Sequence, residues 1–148
     1  MIKSVSARGS PERELEAERR LELALKYLEE GRAFADKDPV QASEKLYKAA
    51  EEAVKALATA LDLEQAKAAA REGGWRAKLL NRAAEAAAEK LGLEELALWW
   101  KAAYYLHVEG SREARLDSED VKRNAKYVEA LVKTAAEVLK GRSGKRSP

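Results

Sequence analysis

The sequence predicts an all-α protein, an antiparallel up-and-down bundle of four to five helices, and three observations predict it. Apolar residues recur at three- and four-residue steps through most of the chain, which is the period of one helix face. Alanine supplies much of each inward face (Ala49, Ala50, Ala53, Ala83, Ala86, Ala87), and alanine has the best helix propensity. No segment shows sustained apolar/polar alternation rich in Val, Ile and Thr, so no sheet is expected.

The first helix is announced by Ser10-Pro11, an N-cap followed by proline at the first helical position. Glu12, Glu14 and Glu16 suit the positive end of its dipole. Ala17, Leu21, Ala24, Leu25 and Leu28 mark one buried face as far as about Ala35, with Gly31 weakening the last turn. Asp38-Pro39 repeats the start signal, and Gln41 stands where a capping box needs it. Val40, Leu46, Ala50, Ala53, Val54, Leu57, Ala58 and Leu61 then make a long stripe. Leu63 to Arg71 fits a short helical turn ended by Gly73-Gly74. Trp75 opens the next helix, with Leu79, Leu80, Ala83, Ala87 and Leu91 on one side and Gly92 as its C-terminal cap. A fourth helix runs from Leu93 to about Val108 and ends at Gly110. Asp117 and Asp120 frame the start of a fifth, carried by Val121, Ala125, Val128, Leu131, Val132, Ala135 and Leu139. The expected organisation is a flexible arm over 1–10, one bundle domain over 11–140 and a disordered basic tail over 141–148.

Composition removes several function classes. The chain of 148 residues has the size of one domain and buries enough surface to need no metal or disulfide staple. It has no cysteine, which excludes disulfides, thiolate metal sites and a Cys nucleophile. No apolar run is long enough for a membrane span, and the first ten residues lack the core of a secretory signal. Charged residues make up 36%, yet the net charge is only +2 with the signs interleaved, so no global drive toward nucleic acid or anionic lipid exists. These features predict a cytoplasmic protein with no cofactor. The charge-rich, Cys-free, Met-poor composition also predicts a heat-adapted source.

Four groups of residues are candidates for function. His107 is the only histidine, so it cannot be half of a two-His metal site. It is either a general acid/base or a helix-terminal histidine packed on aromatics. Arg112, Arg115, Arg123 and Asn124 surround the loop before the last helix and offer forks for a phosphate. Glu109, Glu113, Asp117, Glu119 and Asp120 share that stretch, so internal salt bridging explains them equally well. Trp99, Trp100, Tyr104 and Tyr105 come in adjacent pairs and point different ways on a helix, some to the core and some to solvent or a partner chain. They suit a homodimer interface or stacking on bases. Lys140, Arg142, Lys145 and Arg146 could touch RNA or DNA phosphates or form a solvated terminus. There is no P-loop, no Glu-x-x-His pair for a di-iron site, and no Ser or Thr beside His107 for a triad.

Three segments carry a family resemblance. They are the run from Asp38 to Ala58 (DPVQASEKLYKAAEEAVKALA), Gly74-Trp75 before Leu79-Leu80, and His107-Val108-Glu109-Gly110. Together they resemble the archaeal PaREP family of paralogous proteins, within the HEPN-like helical bundles, over about residues 15–139. The resemblance implies an up-and-down bundle, often paired as a dimer, in a superfamily that includes toxin ribonucleases and nucleotide-associated domains. Its nuclease members carry an Arg, often a polar residue after it, and then a His a few residues on. Arg123-Asn124 matches the first half, but Val128, Glu129 and Ala130 stand where the His would be. In PaREP proteins an aromatic-His pair often follows the Gly of His-Val-Glu-Gly, where this chain has Ser111-Arg112. The function expected is therefore a noncatalytic binding or interaction module forming a homodimer. The alternative is an RNA-directed ribonuclease-like or nucleotide-binding protein with a degenerate catalytic motif.

Overall fold

The computed structural model describes residues 10–144. Residues 1–9 of the expected arm and 145–148 of the expected tail lie outside the described residues. Six α-helices and one π-helical segment follow in order, with no strand among the described residues. They are α1 (Pro11–Phe34), α2 (Pro39–Ala60), α3 (Glu64–Glu72), α4 (Ala77–Leu91), α5 (Glu95–Tyr105), the π-helical segment Leu106–Arg112, and α6 (Ser118–Gly144).

The cap chemistry places the helix starts. Ser10 accepts from the Arg13 amide at 3.1 Å, and Asp38 accepts from the Gln41 amide at 3.1 Å. Gln41 does not complete a capping box, because the Asp38 amide already donates to the Phe34 carbonyl at 2.8 Å. Asp117 and Asp120 do form a reciprocal pair: each side chain accepts from the other's amide, at 2.9 and 3.2 Å. Gly73 and Gly92 end α3 and α4 in the left-handed region.

α2 is the axis of the molecule. It packs against every other helix and against the π-helical segment, and its buried residues run around most of its circumference. α1 and α2 form an antiparallel hairpin whose register is fixed by Arg13–Asp62, Arg20–Glu52 and Lys45–Glu30. Gly31 does not end α1. It is buried, and a Cβ there would lie 2.7 Å from Leu46, so glycine is what lets α1 cross α2 closely. Arg32–Glu129 and Asp36–Lys122 set α1 antiparallel to α6 as well. α2 and α6 consequently run in the same direction, and the chain is not a simple alternation of neighbours.

Several expectations change. α1 is an edge helix that buries only a narrow stripe (Ala17, Ala24, Leu28, Gly31). Leu25, expected on its buried face, is therefore exposed, and Val40, expected in the buried stripe of α2, is exposed at the start of that helix. Leu63 to Arg71 is a true helix rather than a single turn. Trp75 precedes α4, which begins at Ala77. Gly110 does not stop the fourth helix of the sequence reading, and the chain widens into a π-helical turn instead. α6 continues through Gly141 to Gly144, so residues 141–144 are helical and not disordered tail.

Candidate functional site

The π-helical segment holds the chain's one histidine. A π-turn needs a reason, because its hydrogen bonds span one residue more than the α-helical ladder. Here the reason is packing. Gly110 is buried against Ser43 of α2, so closely that a Cβ would stand 2.1 Å from the Ser43 hydroxyl oxygen. The Glu113 amide donates to the Val108 carbonyl at 2.9 Å, and the Arg115 amide to the Glu109 carbonyl at 2.7 Å.

This turn sets His107 onto one face of α2. Its imidazole stacks on the Tyr47 ring, with centroids 4.1 Å apart and planes 16° from parallel. Nδ1 lies 3.3 Å from a Glu44 carboxylate oxygen. Tyr104 packs at the edge of Tyr47 and tilts against His107, and Trp100 tilts against Tyr47. The Trp100 indole N–H donates to Asn81 of α4 at 2.7 Å, which ties the aromatic cluster to a third helix. A cavity of about 300 Å³ lies beside it, lined by Asn81, Glu85, Ala97, Trp100, Lys101 and Tyr104.

Burial, with the nearby Glu51 charge, pushes the Tyr47 phenol above its ordinary range. Glu51 accepts a hydrogen bond from Tyr47 and is itself raised, chiefly by burial, with the Glu52 and Glu44 charges adding to it against Lys55 and His107. A carboxyl raised in the folded state favours the fold when protonated. Its contribution is complete below the unfolded value of 4.5 and is lost as pH rises through the folded value. At neutral pH the ionised Glu51 therefore costs stability. Glu51→Gln is expected to melt above wild type at neutral pH, with the difference closing near pH 4.5. Thermal melts followed by circular dichroism at the two pH values check it, and an equal melting point at neutral pH contradicts it.

The arginine group does not converge on His107. Arg115 pairs with Glu109 at 2.9 Å and with Glu113 at 3.3 Å, Arg123 lies 3.6 Å from Asp120, and Arg112 is exposed. Asn124 donates to the Asp120 carbonyl at 2.9 Å, inside its own helix. The aromatic pairs separate as a helix requires: Trp100 is buried, Trp99 is half-buried, and Tyr104 and Tyr105 are exposed. Among the described residues no group of His, Asp and Glu is placed to hold a metal ion. No helix among them is long and apolar enough to cross a membrane.

Sequence reasoning missed Glu44, Tyr47 and Glu51 as the partners of His107. The signal was present. These residues sit at steps of three and four in α2, a polar and aromatic row on a helix otherwise coated with Ala, Leu and Val.

Fold and site define an all-α protein in which a π-turn histidine is seated on a central helix. The chain belongs to the archaeal PaREP1/PaREP8 family, whose model matches residues 19–132. It is similar to a protein from Sulfolobus solfataricus known by crystal structure. That chain is 38% identical with a TM-score of 0.74, over 79% of this chain and 96% of that one. The same protein, Orf c02003, is also known by solution structure. That one is 37% identical with a TM-score of 0.69, over 78% of this chain and 90% of that one. No curated protein matches the sequence.

Proposed function

We propose that this protein is a noncatalytic interaction module that works as a two-fold homodimer joined through α5. One observation carries the reading. Glu94, Leu98, Lys101 and Tyr105, at steps of four, three and four, form a single outward row, with Leu98 61% and Tyr105 46% exposed. Half-buried Trp99 and exposed Tyr104 flank it.

This row is complementary to itself. If two copies cross antiparallel with Leu98 near the two-fold axis, Glu94 and Glu95 at the acidic end meet Lys101 of the second copy. The same pairing occurs twice, as an isologous interface demands. Leucine and tyrosine in the middle with charges at the rim is the ordinary anatomy of a protein interface. The noncatalytic part of the reading is supported by His107, whose ring is stacked on Tyr47 and whose Nδ1 faces Glu44. Arg115 and Arg123 are held by carboxylates of their own stretch.

Light scattering on a sizing column is expected to give twice the 16.4 kDa chain mass at micromolar concentration. Leu98→Lys is expected to give the single-chain mass with unchanged helicity. A wild-type monomer would overturn the dimer. Cleavage of labelled RNA that disappears in His107→Ala would replace the noncatalytic reading by the ribonuclease-like one.

A further inference from the structure

The two signs of charge alternate along most of the chain, and one stretch departs from that. Residues 71–82 hold four cations, Arg71, Arg76, Lys78 and Arg82, against one acid, Glu72. That is a net of +3, more than the +2 of the whole chain. All four cations are exposed, and none of their side chains forms an ion pair or a hydrogen bond among the described residues. Most other arginines meet a carboxylate, as Arg20, Arg32 and Arg115 do.

The fold gathers this charge at one edge. Arg71 stands in the last turn of α3, Gly73 turns the chain in the left-handed region (φ 78°), and Arg76 is the residue before α4. Lys78 and Arg82 lie one turn apart on a single face of α4. A Cβ on Gly73 or Gly74 would meet nothing within 4 Å, so the backbone between Arg71 and Arg76 is bare. Trp75 sits in the middle of the row, half-buried and packed on the core. It also lines a cavity of about 500 Å³ whose apolar wall includes Ala66, Ala69 and Ala70. The charges inside that cavity are already matched, Arg13 and Lys67 by Asp62 and Arg20 by Glu16. The cavity therefore suits a neutral flat ring, and the unmatched charge lies outside it.

We propose that this edge binds single-stranded nucleic acid, with phosphates along Arg71, Arg76, Lys78 and Arg82 and a base stacked on Trp75. A single strand alternates charge with flat neutral rings, and this surface offers a partner to each. A duplex keeps its bases stacked on one another and has none to give to Trp75. An anionic membrane calls for large apolar side chains to insert, and beside Trp75 the exposed apolar side chains of residues 70–78 are alanines. None of these residues belongs to the His107 cluster or to the Arg123-Asn124 pair, and the inference does not rest on pairing through α5.

The test follows a labelled oligouridine by fluorescence anisotropy as the full chain is added. Four phosphate contacts predict binding about fifty-fold weaker at 200 mM salt than at 50 mM. Arg76→Ala with Lys78→Ala changes two exposed side chains and keeps the fold. This pair is expected to weaken binding about tenfold at 50 mM salt and to cut the salt effect to about sevenfold. Lys37→Ala with Lys126→Ala takes the same charge from the opposite end of the bundle, beside the turn between α1 and α2, and is expected to leave binding unchanged. Tryptophan emission is expected to fall as the strand saturates the wild type and to stay constant in Trp75→Phe, which keeps an aromatic ring in place. No saturable binding at 50 mM salt, an equal loss in the two double variants, or an emission change that survives Trp75→Phe would overturn the proposal. Polyglutamate or a duplex competing as well as the unlabelled strand would overturn it too, in favour of a surface that takes any polyanion.

Discussion

Leu57→Asp is expected to leave the chain without a cooperative fold at room temperature. Leu57 is fully buried in the last turn of α2, the helix against which all the others pack. Removing a buried leucine costs about 2–5 kcal/mol in lost transfer energy and cavity formation. The aspartate then adds an unpaired polar group with no water to solvate it, since its neighbours along α2 include buried Ala53, Val54, Ala58 and Leu61. The whole domain holds only about 5–15 kcal/mol in reserve. Circular dichroism and a thermal scan check the result. A cooperative transition within a few degrees of wild type would mean that α2 is not the centre of the core.

Gly110→Ala is expected to be the most damaging single methyl group in the molecule. Its Cβ would meet the Ser43 hydroxyl at 2.1 Å and the Ser43 Cβ at 2.6 Å, both on the rigid central helix. Overpacking of this kind costs about 1–3 kcal/mol and sometimes more. At about 2–4 °C per kcal/mol for a chain of this size, the melting point falls by several degrees or more. Gly141→Ala is the control. Nothing lies within 4 Å of that position, so the same substitution is expected to gain up to about 1 kcal/mol of helix propensity. Adding Ser43→Ala to Gly110→Ala removes the nearest clashing atom, and part of the loss is expected to return. Differential scanning calorimetry on the three variants and the wild type reads this out. Equal melting points for Gly110→Ala and wild type would refute the packing account of the π-turn.

The parts of this fold that were legible in the sequence are those decided within a few residues. Ser10-Pro11, Asp38-Pro39, the Asp117/Asp120 pair and Gly92 each act on a backbone group close by, so their chemistry is complete in the local sequence. The stripe of α2 was legible because a central helix must be apolar over most of its surface. What escaped depends on which helix lies opposite. Gly110 reads as a stop signal until Ser43, distant in sequence, is known to need its missing side chain. Gly31 reads as a weak last turn until Leu46 is known to cross it. Leu25 reads as core until α1 is known to sit at the edge.

The same division governs the sites. His107 stood out because it is unique, but Glu44, Tyr47 and Glu51 became its surroundings only through the packing of the π-turn on α2. Arg112, Arg115, Arg123 and Asn124 are close in sequence without sharing a focus, because α6 carries Arg123 and Asn124 on its own turns while Arg115 bonds backward to Glu109. Arg142 read as part of a tail, yet α6 carries it to where the charges of Arg13 and Asp62 act on it.

The proposed interface on α5 is open to a clean measurement, because the chain has no cysteine of its own. A Leu98→Cys chain carries one thiol at the point where the two-fold axis is placed. Helices packed about 8–10 Å apart bring two such positions within disulfide reach. Under mild oxidation at micromolar concentration, Leu98→Cys is expected to convert to a covalent dimer, while Leu15→Cys, at an equally exposed leucine on α1, stays a single chain. Equal crosslinking of the two variants, or none at Leu98→Cys, would contradict the reading of this protein as a module paired through α5.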